Sequence, residues 1–165
     1  MFKNILCALL LFSLTGCSIM SAQTTENHQI AQTNAALALA YLEKNNVETG
    51  KAKLMLAQTQ APTDPIIWDT SGYFLAHIGN FSEANQAYLK AISLNPRLGA
   101  AQNNYGVFLC RQKKYTDAIT HFLLAAKDPN YSHVSDAYQN AANCALKIPD
   151  RFLADKYATH AALAF

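Results

Sequence analysis

Histidine and cysteine are the residues of this 165-residue chain with the most reactive side chains near neutral pH. The five histidines, His28, His77, His121, His133 and His160, are scattered. None has a second histidine four residues away, the spacing that turns two imidazoles toward one metal from a single helix face. No nucleophile-elbow serine and no glycine-rich phosphate loop is present. The chain therefore offers no acid–base pair, metal set or cofactor cradle, and neither an enzyme nor a cofactor nor a small-molecule substrate is expected. Four cysteines remain, Cys7, Cys17, Cys110 and Cys144. Acylation, thiol redox chemistry and disulfide formation are all open to cysteine. The elements that carry each one decide which applies.

Cys7 and Cys17 belong to the N-terminus. Lys3 supplies a positive start, and Ile5 to Leu14 is almost wholly apolar. That run has the length of a signal-peptide core and is too short for a bilayer-spanning helix. It ends Leu14-Thr15-Gly16-Cys17: an aliphatic residue, two small residues, then cysteine. This order resembles the bacterial lipobox. The resemblance implies a lipoprotein signal peptide over residues 1–16 and a lipidated Cys17 as the new N-terminus. The alternative is a plain secretory signal with an incidental cysteine. Several acyl chains on one residue meet the two-signal requirement for stable anchoring. Ser18, rather than aspartate, follows Cys17. By resemblance to enterobacterial sorting, that implies a lipid anchor in the outer membrane, facing the periplasm. Residues 17–29 are polar without an apolar period and read as a flexible tether. The sequon-like Asn130-Tyr131-Ser132 is set aside, because the lipobox resemblance implies a bacterial protein.

The remainder is organised by a repeat. Apolar residues make up 51% of the chain and charged residues 15%, which excludes a disordered chain. A net charge of +2 is far from the basic balance of nucleic-acid binders, so no nucleic-acid partner is expected. Ala38, Gly72 and Gly106 lie 34 residues apart, as do Tyr41, Leu75 and Leu109, then Leu54, Tyr88 and Phe122, and Ala57, Ala91 and Ala125. Pro62 and Pro96 keep the same interval. Ala142, Ala145, Ala154 and Ala161 continue the series after a two-residue insertion.

This pattern resembles the tetratricopeptide repeat, whose period is 34. The second unit carries it best, in Trp68, Gly72, Leu75, Ala84, Tyr88, Ala91 and Pro96. The expected fold is all-α: a superhelix of about four helix-turn-helix units, near 31–64, 65–98, 99–134 and 135–165, within a domain 30–165. Small residues such as Gly72 and Gly106 let two helix backbones approach. Tyr88 and Phe122 fill the space between hairpins, which must stack because no single hairpin buries its own apolar face. Pro62, Pro96 and Pro129 stop the second helices. Trp68, at a signature slot, reads as core.

Cys110 and Cys144 then fall in the first helices of consecutive units, which pack side by side. Two readings stand open: a disulfide, permitted in an oxidising compartment, or two buried free thiols. The first helices also line the concave face of such a superhelix. Projected onto it, Ala35, Leu39 and Leu42 come from the first unit, Ile66, Asp69, Tyr73 and His77 from the second, and Asn103, Val107 and Arg111 from the third. Apolar residues on that face predict a groove for an extended or helical peptide. The alternative is that the tether or another chain covers them.

The run Asn103-Asn104-Tyr105-Gly106-Val107-Phe108-Leu109-Cys110 resembles the type IV pilus biogenesis and stability lipoproteins, pilotins of the PilF/PilW type. Agreement continues through Tyr115, Ala118, Phe122, Asp128-Pro129 and Tyr131, and through Tyr138 to Ala145, where Ala142 replaces a usual glycine. The resemblance implies a non-catalytic outer-membrane protein that binds secretin subunits and supports their targeting and assembly for type IV pili. The alternative is a periplasmic adaptor that docks cell-wall enzymes. Members of the resembled family continue for about two further repeats. A chain shortened at its C-terminus is thus implied, with Ala158, Ala161, Ala162, Leu163 and Phe165 partly uncovered.

Overall fold

A computed structural model describes residues 16–149 and 151–164, with residues 16–25 described by their backbone alone. Residues 1–15 of the expected signal peptide, the side chain of Cys17 and Phe165 lie outside the described residues.

Eight helices run in chain order: α1 Gly16–Glu43, α2 Val47–Gln60, α3 Pro65–His77, α4 Phe81–Leu94, α5 Gly99–Arg111, α6 Tyr115–Ala125, α7 Val134–Ala145 and α8 Arg151–Leu163. They pair as four consecutive hairpins, α1 with α2 through α7 with α8. Successive hairpins stack, with α1 against α3, α3 against α5, and α7 against both α5 and α6. The protein is an all-α solenoid of four hairpins, as the repeat predicts.

The repeat recurs in single hydrogen bonds. The turns inside the first three hairpins each place one residue in the left-handed region: Asn45 (φ 56°), Gly79 (φ 81°) and Lys113 (φ 63°). The residue after each donates its N–H back across the helix end, Asn46 to Tyr41, Asn80 to Leu75 and Lys114 to Leu109, at 2.8–2.9 Å. This satisfies carbonyls that the helix end would otherwise leave open. At the junctions between hairpins, Trp68 Nε1 donates to the carbonyl of Pro62 (2.7 Å) and Gln102 Nε2 to that of Pro96 (2.8 Å). Trp68 is therefore half-buried and tied to a loop, where its slot predicted core. Asp64 caps α3 by accepting from Ile66 N at 2.9 Å, and Pro65 opens that helix with its preset φ.

The core forms where small and large residues meet. Gly72 faces Tyr88 and Gly106 faces Phe122 across their hairpins. Tyr88, Tyr105, Phe108, Leu109, Phe122 and Tyr157 belong to one buried cluster through the last three hairpins. Ala38, Leu42, Leu54 and Phe74 form another. Ala31, Ala35, Ala57, Ala61 and Ile67 fill the first junction. Burying one ring such as Phe74 or Phe122 stabilises the fold by roughly 1.5–3 kcal/mol.

Two expectations change, the tether wholly and the uncovered C-terminal end at Ala161 alone. Residues 17–29, read as a flexible tether, have a helical backbone continuous with α1. No glycine or proline interrupts 17–43, and extending an existing helix costs far less than nucleating one. His28 and Gln32 also bond to Asp64, at 3.3 and 3.0 Å, which holds this stretch against the next hairpin. At the far end, Ala161 is buried, whereas Ala158 and Ala162 are exposed and Leu163 is 76% exposed.

Candidate functional site

Between α3 and α5, the first helices of two hairpins, lies a groove of about 430 Å³. α3 contributes Tyr73, Ala76 and His77, and α5 contributes Asn104, Val107, Phe108 and Arg111. The start of α4 adds Phe81, and Tyr88 lies deeper. Tyr73 and Phe81 are 46% and 50% exposed, so both rings present free surface to the groove. Tyr73 stands over His77, with ring centroids 6.0 Å apart, and Phe81 leans on Phe108 at 6.4 Å.

Hydrogen bonds fix the spacing of the helices that carry these rings. Asn104 Nδ2 donates to Asp69 Oδ2 at 2.8 Å, joining α5 to α3. Asn140 Nδ2 donates to Asn103 Oδ1 at 3.0 Å, joining α7 to α5. Asp69 is buried, and its Oδ1 has no partner. Burial raises its carboxyl to a pKa of about 6, against the opposing pull of the Asn104 hydrogen bond. Burial likewise pushes the Tyr88 phenol up, helped by the nearby negative charge of Asp69.

The predicted groove residues divide. Tyr73, His77, Val107 and Arg111 line the groove, whereas Ile66 (exposed) and Leu39 and Asn103 (half-buried) lie outside its lining. Ala35 and Leu42 are not groove residues, being 3% and 7% exposed. Ala35 packs in the first junction and Leu42 against Leu54 and Phe74. α1 is apolar on two adjoining stripes. The one through Ala31, Ala35, Ala38 and Leu42 faces α2 and α3, and sequence periodicity does not tell core stripe from groove stripe. Asp69 also lies beneath the surface, where it spaces two helices. Phe81 escaped the sequence reading, and Asn104 and Phe108 enter it only through the Asn103–Cys110 run, not as groove residues. Phe81 follows the Gly79-Asn80 turn, and an aromatic at that point was the available signal.

The structure joins Cys110 on α5 to Cys144 on α7 as a disulfide, with a Cα–Cα distance of 6.0 Å. It crosses from the third hairpin to the fourth near the mouth of the groove. Among the described residues, no three histidine, cysteine or acidic side chains come together in a group able to hold a metal. No described helix is long and apolar enough to cross a membrane. The geometry provides a shaped, partly aromatic recess, suited to taking side chains of another chain.

Comparison with known proteins agrees. A tetratricopeptide-repeat family model matches residues 87–120. An uncharacterized protein of Haemophilus influenzae is 32% identical over 134 residues, covering 81% of this chain and 75% of its own. The type IV pilus assembly protein PilF of Pseudomonas aeruginosa is 29% identical over 157 residues, covering 90% of this chain and 61% of PilF. The structure of that PilF superposes with a TM-score of 0.78 at 24% identity, over 84% of this chain and 63% of the other. PilW, a widely conserved type IV pilus biogenesis factor, superposes with a TM-score of 0.76 at 24% identity, over 82% and 62%. The chain thus spans about three-fifths of the length of these two relatives.

Proposed function

We propose, for a chain that belongs to the family of the Haemophilus influenzae relative and is a tetratricopeptide-repeat homologue of type IV pilus assembly proteins, that it is a non-catalytic pilotin. In this reading it binds secretin subunits and supports their delivery to, and assembly in, the outer membrane. The observation that carries the reading is the open aromatic groove between α3 and α5, on a solenoid similar to PilF along 90% of its length. A groove of this kind holds a partner by apolar burial and needs no bond-making step. Lipid on Cys17 would keep the groove at the outer membrane, on its periplasmic side, where incoming secretin chains must pass.

Heat-resistant secretin multimers in a deletion strain test this. Their loss, restored by the wild-type gene, supports the reading. Normal multimers with altered cell shape would instead favour an adaptor for cell-wall enzymes. Cys17→Ser should move the protein from membranes to the soluble periplasmic fraction. Continued recovery with membranes would count against the anchor.

A further inference from the structure

A second hollow, of about 390 Å³, opens between α5 and α7, and shares Val107 and Arg111 with the groove. Its deep part is apolar, formed by Val107, the Cys110–Cys144 bridge and the buried ring of Phe122. Its exposed part is cationic, formed by Arg111, Lys113 and Lys147. No carboxylate lines it. Among the described residues the ion pairs join histidine to aspartate, and none engages these three cations. Asp117 lies beyond Lys113, in a different hollow.

Lys113 supplies an independent observation. The equivalent turn position holds Asn45 in the first hairpin and Gly79 in the second, residues that enter the left-handed region cheaply. Lysine at φ 63° does not. A cation is thus kept beside this hollow at a backbone cost that the other turns avoid.

We propose that the hollow over the Cys110–Cys144 bridge takes an apolar side chain from a partner segment whose neighbouring carboxylates are read by Arg111, Lys113 and Lys147. The inference rests on the groove being a protein-binding site and adds the chemistry of what enters it. Three unopposed cations around a recess raise the local potential and select an anionic partner, while the apolar floor supplies most of the residence time. A basic segment would meet like charges at the mouth and be rejected.

The test uses the full chain, purified in detergent, as bait for a display library of random peptides. Expected is enrichment of segments that pair leucine, isoleucine or phenylalanine with aspartate or glutamate. A synthetic peptide of the enriched sequence should bind about tenfold more weakly to the double variant Arg111→Glu, Lys147→Glu. Lys113→Gly should raise the melting temperature while weakening the same peptide, a combination that a purely structural lysine would not produce. Enrichment without acidic bias, no enrichment, or an unchanged preference in the double variant would overturn the proposal. If the library fails while the deletion strain still loses secretin multimers, only the acidic-segment proposal falls. Acidic enrichment beside normal multimers would leave the pocket standing and remove the pilotin reading.

Discussion

Gly72 on α3 lies directly beneath the ring of Tyr88 on α4, so that a methyl group at Gly72 would stand 2.7 Å from the ring carbons Cδ1 and Cγ. The next hairpin repeats the relationship with Gly106 and Phe122, also at 2.7 Å. These two hairpins close around a large side chain because its partner position carries almost nothing. Tyr88 is 2% exposed and packs on Tyr105 and Phe108, so its ring has little room to retreat.

Gly72→Ala is therefore expected to destabilise the protein by about 1–3 kcal/mol, the usual cost of overpacking, although alanine is the better helix former. Chemical denaturation of the two proteins side by side measures this. A midpoint equal to or above wild type would show that the hairpin is not closed by this contact.

Removing the Cys110–Cys144 bridge should cost about 4 kcal/mol, since it closes a 34-residue separation in the unfolded chain. The loss is expected to fall on α7, which carries Cys144, and on α8, which follows the bridge and ends the described solenoid. Hydrogen exchange on the Cys110→Ser, Cys144→Ser variant should show faster exchange there than in α3 and α4. Uniform acceleration along the chain would argue that the bridge stabilises the whole solenoid as one unit.

The carboxyl of Asp69 gives a pH dependence whose sign runs opposite to the usual acid denaturation. Burial raises its folded-state pKa from 3.8 to about 6, so the folded protein binds the proton more tightly than the unfolded chain. Its contribution to stability is complete below about pH 4 and is lost as pH rises through 6. Two pKa units correspond to about 3 kcal/mol. Asp69→Asn should flatten this part of the stability profile. An unchanged slope between pH 4 and 6 in the variant would show that Asp69 is not its source.

Under the proposed pilotin role, Tyr73→Asp should weaken co-purification of secretin while leaving helix content and stability near wild type, within about 0.5 kcal/mol, because the side chain is 46% exposed. Collapse of the far-ultraviolet circular dichroism signal would place Tyr73 in the core and remove it from the groove.

Much of this molecule was legible in its residues. The interval between Gly72 and Gly106, the prolines after α2 and α4, and the alternation of small and large side chains determined stacked helix hairpins, because a single hairpin cannot bury its own apolar face. The interval of 34 between Cys110 and Cys144 placed both on neighbouring first helices. Tertiary structure alone decided which apolar stripe of α1 is core, and so moved Ala35 and Leu42 out of the groove. It also turned Asp69 from a groove residue into a buried spacer bonded to Asn104. Periodicity reports that a helix has an apolar face. Which neighbour covers that face depends on the angle at which hairpins pack, and that angle is set by contacts distant in sequence.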